Sequence, residues 1–104
     1  MTIQINSNNH IDGTEGLKEY IQTTISENLK RFDEQITRVE VHLHDENSHK
    51  KGIDDKRCMM EVRLEGMQPI AVTACGNTIH EAVKSALDKL KSSLDTNIGR
   101  LRNH

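Results

Sequence analysis

The chain has 104 residues, 34% of them hydrophobic, with no tryptophan, one tyrosine, one phenylalanine and a formal charge of −2. That suffices for one modest aliphatic core and not for two. The near-neutral balance excludes a protein that attracts polyanions by its overall field, so any nucleic acid must meet locally segregated charge.

Ile3 and Ile5 alternate with polar neighbours, which predicts a short opening strand ending at the turn-forming run Asn6-Ser7-Asn8-Asn9. Leu17, Ile21, Ile25 and Leu29 then repeat every fourth position and Phe32 closes the stripe, the pattern of an amphipathic helix whose first turn is weakened by Gly16. Lys30 and Arg31 stand near its C-terminus, where cations offset the helix dipole. From Ile36 to His44 the period changes to two, with Val39, Val41 and Leu43 facing one way and Arg38, Glu40, His42 and His44 the other. The polar stretch Asp45 to Asp55 reads as a loop. Lys56 to Glu65 is a second alternating strand, with Cys58, Met60, Val62 and Leu64 inward and Arg57, Met59, Glu61 and Arg63 outward. Gly66-Met67-Gln68-Pro69 turns the chain, and Ile70 to Cys75 is the last strand.

The stretch from Asn77 to Arg102 is the longest periodic one. Ile79, Ala82, Val83, Ala86, Leu87, Leu90, Leu94 and Leu101 recur at three- and four-residue spacing, which predicts one long amphipathic helix. Thr78 and Glu81 open it at capping-box spacing. The order strand, helix, three strands, helix predicts an α+β fold, β-α-β-β-β-α. The three consecutive strands form an antiparallel meander, and both helices cover one face of a four-stranded sheet. The opposite face, carrying Arg57, Arg63, His42 and Glu61, should be wet. Residues 1–104 read as a single domain without internal repeats or linkers.

Charge is segregated along this framework. Acids predominate from Asp12 to Glu46, Lys50, Lys51, Lys56 and Arg57 cluster in the middle, and the final helix sets five Lys and Arg against Glu81, Asp88 and Asp95. At roughly 100° per residue, Lys84, Lys91 and Arg102 line one side of the apolar stripe with His80 beside them, while Lys89 and Arg100 fall on the other. Two readings are open: cations offered to a phosphate backbone, or long side chains whose stems cover the edge of the core.

The remaining chemistry is sparse. Cys58 and Cys75 fall in separate apolar runs and read as buried thiols, with no Cys-x-x-Cys pair for zinc or redox work. His42 and His44 share a strand face, but a metal there would need a third ligand from His49 or Asp45, and no recognised ligand spacing is completed. No metal or cofactor is expected. There is no glycine-rich phosphate loop, nucleophile motif or partnered carboxylate pair, so an enzyme is not expected either. Phe32 lies on the apolar stripe and Tyr20 at its edge, which leaves no pair of aromatics as a platform for bases. No run approaches the ~18 apolar residues of a membrane span and the first residues form neither a charged leader nor an apolar signal core, which points to the cytoplasm.

The opening Met1-Thr2-Ile3-Gln4-Ile5-Asn6-Ser7, the helix through Leu17, Ile21 and Leu29 ending near Phe32, and the closing Ala82-Val83-Lys84-Ser85-Ala86-Leu87-Asp88-Lys89-Leu90 with Leu94 resemble, in this order, one known family. It is the short form of the ribosome hibernation promoting factors and ribosome-associated inhibitors, and the resemblance spans nearly the whole chain. It implies a fold like that of double-stranded-RNA-binding domains. It also implies a non-enzymatic partner of the small ribosomal subunit that holds ribosomal RNA, occupies the mRNA/tRNA channel and inhibits translation under stress or in stationary phase. The helix-border cations then become RNA contacts, Lys84, Lys89 and Lys91 first and Arg100 and Arg102 after them, with Lys50 and Lys51 added from the loop. The chain departs from its relatives at Asn8 and Asn9, where a basic residue is common, at Thr78-Ile79-His80, where they carry an acidic-aromatic lead-in, and at Asp95-Thr96-Asn97, where they carry more lysine. These departures keep a second function open: a protein-interaction or regulatory module of the same fold that has lost strong ribosome binding. The length leaves no room for the C-terminal dimerisation domain of the long hibernation factors, and the edge strands leave the oligomeric state open.

Overall fold

The computed structural model describes residues 1–7, 15–45 and 56–102. Its elements are β1 (Thr2–Ser7), α1 (Glu15–Asn28), β2 (Ile36–Asp45), β3 (Lys56–Leu64), β4 (Ile70–Gly76) and α2 (Ile79–Arg102). A short 3-10 turn, Lys30–Phe32, follows α1. The strands form one mixed sheet in the order β1-β2-β3-β4. β1 runs parallel to β2, as the crossover through α1 requires, and β2, β3 and β4 are successively antiparallel. The Asp45 to Asp55 loop, beyond its first residue, lies outside the described residues.

Both helices lay their apolar stripes on one face of the sheet. Ile21, Ile25 and Leu29 from the first helical region and Ala82, Val83, Ala86, Leu87, Leu90, Leu94 and Ile98 from α2 are buried. They share one cluster with Val39, Val41, Cys58, Met60 and Val62 from the strands. α2 lies over β3 and β4. The two helices run side by side in the same direction: Tyr20 meets His80, Asn28 meets Lys91, and Arg31 meets Asp95. No helix among the described residues is long and apolar enough to cross a membrane.

Four local features differ from simple periodicity. Strict alternation would put Ile36 outside with Arg38, but the register steps from Ile36↔Leu64 to Arg38↔Arg63, which makes Thr37 the extra residue of a β-bulge. Ile36 is thereby turned into the core, and the Thr37 hydroxyl donates to the Arg63 carbonyl at 3.1 Å. At the start of α2 the Glu81 N–H donates to Thr78 Oγ1 at 3.1 Å, but the Glu81 carboxylate accepts from the Asn77 N–H at 3.0 Å and not from that of Thr78. The box is shifted by one residue on its acidic side. A Cβ on Gly76 would stand 2.8 Å from both the Ala82 nitrogen and Glu81 Cβ, so the bare glycine lets the first turn of α2 close onto the end of β4. Arg31 lies beyond the end of α1. It does not cap that helix, but pairs with Asp95 of α2 at 2.7 Å and stacks 4.5 Å above the Phe32 ring.

A fifth difference concerns the thiols. Both are free, but only Cys58 is buried. Cys75 shares the outward phase of β4 with Ala71 and Thr73, while Ala74 and Gly76 point inward. Burial pushes the Cys58 thiol from 9.0 up to about 12, because a thiolate in the apolar core would lose its hydration. The folded protein therefore holds the Cys58 proton more tightly than the unfolded chain. This group costs no stability below pH 9.0 and lowers it as the pH climbs from 9.0 towards about 12. Native protein treated with iodoacetamide at mildly alkaline pH should take up one equivalent quickly, at Cys75, and a second only after unfolding. Rapid uptake of two would contradict the burial of Cys58.

Candidate nucleic-acid interface

α2 carries Lys84, Lys89 and Lys91 because its seven buried positions occupy one side, leaving the borders of the stripe to long cationic side chains. The tertiary structure sends the three in different directions. Lys91 is half-buried in the seam between the helices, where its Nζ donates to Asn28 Oδ1 at 3.3 Å. Lys84 lies two turns earlier on the same flank and is exposed. Lys89, roughly 140° around the helix from Lys84, is exposed on the other flank and donates from Nζ to the Thr73 carbonyl of edge strand β4 at 2.9 Å.

No carboxylate neutralises any of these lysines among the described residues. The partners of Lys89 and Lys91 are a carbonyl and an amide, both uncharged. Arg31 is the contrast, since its charge is matched by Asp95. Lys18 and Lys30 add further exposed cations on the helical side. Arg100 and Arg102 stand in the last turn of α2 with side chains outside the described set, and Lys50 and Lys51 lie outside the described residues altogether. Periodicity could not reveal that the exposed Tyr20 ring meets His80 with centroids 4.6 Å apart. The two sit on different helices, and only the packing of α1 against α2 brings them together.

The outer sheet face divides into two halves. At one end Arg38, Glu40, Glu61 and Arg63 interlock: Arg38 with Glu40 at 3.5 Å, Arg63 with Glu40 at 3.9 Å and with Glu61 at 3.6 Å. Arg38 also donates to Gln4 of β1. Two acids and two bases cancel there. At the other end the cross-strand rows are Asn6–His42–Met59–Thr73 and His44–Arg57–Cys75. Their members other than Cys75 line, together with Ser7 and Leu43, a concavity of about 510 Å³. Among the described residues no group of three or more His, Cys, Asp or Glu is placed to hold a metal ion. The third ligand considered for His42 and His44 falls on His49, outside the described residues, or on Asp45, whose side chain is outside the described set.

A four-stranded mixed sheet with two helices on one face, exposed lysines without carboxylate partners on α2 and a polar outer face define an α+β protein with a candidate phosphate-binding helix. A family model described as "Sigma 54 modulation protein / S30EA ribosomal protein" matches residues 3–102, and the chain belongs to that family. Among the solved structures that share its fold are the following two. A ribosomal subunit interface protein from Coxiella burnetii superposes with a TM-score of 0.73 at 20% identity, covering 95% of this chain and 99% of that one. The N-terminal domain of Protein Y from Thermus thermophilus superposes with a TM-score of 0.73 at 19% identity, covering 92% and 98%. No curated protein matches the sequence.

Proposed function

We propose that this chain, acting as one domain over residues 1–104, is a non-enzymatic cytoplasmic protein that binds the small ribosomal subunit. It occupies the mRNA/tRNA channel and inhibits translation under stress or in stationary phase. The observation that carries the reading is the set of lysines on α2, none of them neutralised by a carboxylate among the described residues, in a chain whose family description names a ribosomal protein. Phosphate oxygens can replace the uncharged partners of Lys89 and Lys91, exchanging a neutral acceptor for a charged one. Such contacts position a protein on RNA without reading bases. Lys84, Lys89 and Lys91 supply the first contacts, Arg100 and Arg102 extend them along the helix, and Lys50 and Lys51 add a loop contact.

The test is co-sedimentation of the purified protein with ribosomes through sucrose gradients at low and high salt. The protein should migrate with the small subunit and the intact ribosome at low salt. The three lysine contacts of α2 alone should make affinity fall roughly 20- to 40-fold between about 50 and 200 mM salt, and each arginine or loop lysine that also engages a phosphate should steepen the fall. Absence of co-migration at low salt would overturn the proposal in favour of a regulatory module without strong ribosome binding. Binding indifferent to salt would instead indicate an apolar protein interface.

A further inference from the structure

The outer sheet face carries a second candidate site, on the side away from the helices. The two ends of that face differ in what they can accept. The Arg38, Glu40, Arg63 and Glu61 quartet satisfies its own charges, and an entering phosphate would have to displace Glu40 from two arginines. The concavity at the other end combines three kinds of group. Arg57 and the imidazoles of His42 and His44 can hold a phosphate oxygen. Met59, one of two large hydrophobic residues exposed among the described residues, and the flat imidazoles offer a surface against which a base can lie. Asn6 from β1 and Thr73 from β4 bring an amide and a hydroxyl to the rim, able to donate and accept at a base edge or a ribose hydroxyl.

The register is what gathers them: Asn6 opposes His42, His42 opposes Met59, Met59 opposes Thr73, and His44 opposes Arg57. The volume of about 510 Å³ lies within the range of about 300–1,000 Å³ typical of small-molecule sites. His44 and Arg57 also engage neighbours of their own, and a guanidinium with five donors serves a local partner and a phosphate together. A protein partner fits this surface less well, because of the two large apolar residues lining it only Met59 is exposed, Leu43 being 4% exposed, and a protein interface needs an apolar centre.

We propose that the concavity formed by Asn6, His42, His44, Arg57, Met59 and Thr73 seats one unpaired nucleotide of a single-stranded RNA segment. RNA is thus contacted on both faces of the sheet, by phosphate-binding lysines on the helical side and by a nucleotide seat on the other. The inference rests on the ribosomal reading only for which RNA supplies the nucleotide.

The first experiment needs no ribosome. Isotope-labelled wild-type protein is titrated with a single-stranded RNA hexamer, and separately with inorganic phosphate and with an RNA duplex, while backbone amide resonances are followed. The hexamer should shift the amides of Asn6, His42, His44, Arg57 and Met59 saturably, at concentrations at least ten-fold below those at which phosphate does so. The duplex, whose bases are stacked away, should shift them less. Equal response to phosphate and hexamer would reduce the concavity to a simple anion site and overturn the proposal, and so would hexamer shifts confined to the helices.

The second experiment measures ribosome affinity of the double variant His44→Asn with Arg57→Gln, with its fold checked by circular dichroism. It should bind about ten-fold more weakly than wild type. A folded double variant that binds as wild type does, while Lys84→Glu weakens binding, would remove the nucleotide seat and leave the ribosomal function standing. Wild-type protein that ignores ribosomes but shows the hexamer shifts would remove the ribosomal function and leave the seat.

Discussion

Replacing Lys84, Lys89 and Lys91 together with Glu should weaken ribosome binding by about 100-fold while the fold survives. Each lysine–phosphate pair is worth about 1 kcal/mol, the upper end for an exposed ion pair. Abolishing three such pairs amounts to about 3 kcal/mol, or roughly two decades in Kd. The new carboxylates add repulsion from the phosphates, and the salt dependence should flatten by about one log unit for each phosphate no longer engaged. Stability should change little in comparison. The Lys89 bond to the Thr73 carbonyl and the Lys91 bond to Asn28 disappear, at a net cost of about 1 kcal/mol each. Gradients at two salt concentrations and a thermal melt separate the two effects. A folded triple variant that sediments with ribosomes as wild type does would discard the helix site. Because Lys89 lies on the β4 flank and Lys91 in the α1 seam, Lys89→Glu and the pair Lys84→Glu with Lys91→Glu should each give part of the effect. Weakening confined to one of them would show which flank faces RNA.

Leu90→Ala should be among the most damaging alanine substitutions in α2. Leu90 is 0% exposed in the stripe that α2 lays on the sheet. Removing its three outer carbons gives up the transfer free energy and leaves a cavity that neighbours held by the sheet ladder fill only in part, a loss of about 2–5 kcal/mol. Against a total stability of about 5–15 kcal/mol for an ordinary domain, the melting temperature should fall by roughly 10–30 °C. Scanning calorimetry measures this directly, with Ser85→Ala as the exposed control, for which a shift of a few degrees at most is expected. A Leu90→Ala protein melting like the control would mean that α2 does not pack on the sheet as described.

The fold was legible in the sequence to a large extent, for a specific reason. Each element in this chain buries one face only, so period two in β2 and β3 and period 3.6 in α2 appear directly in the residue order. Val39, Val41, Cys58, Met60, Val62, Leu87, Leu90 and Leu94 are all buried as the periodicity requires. Periodicity failed where a position depends on a partner distant in sequence. Cys75 lies in an apolar run, yet belongs to the outward row it shares with Arg57 and His44. Ile36 has the wrong phase for the core until the bulge at Thr37 corrects it. Arg31 looks like a C-terminal cation of α1 and is instead the partner of Asp95 on α2.

The candidate site divides along the same line. Which cations border the apolar stripe of α2 follows from helical geometry alone, so Lys84, Lys89 and Lys91 and their distribution over two flanks are properties of the sequence. So are the outward phases of His42, His44, Arg57 and Met59 along their own strands. The tertiary structure decided what each flank faces: α1 receives His80 and Lys91, and the edge of β4 receives Lys89. It also decided that the outward residues of β1, β2, β3 and β4 meet in rows which cancel charge at one end and gather Asn6, His42, His44, Arg57, Met59 and Thr73 at the other. Periodicity is a local property set by the backbone dihedrals of each element, whereas register and helix docking are selected by burial summed over residues far apart in the chain.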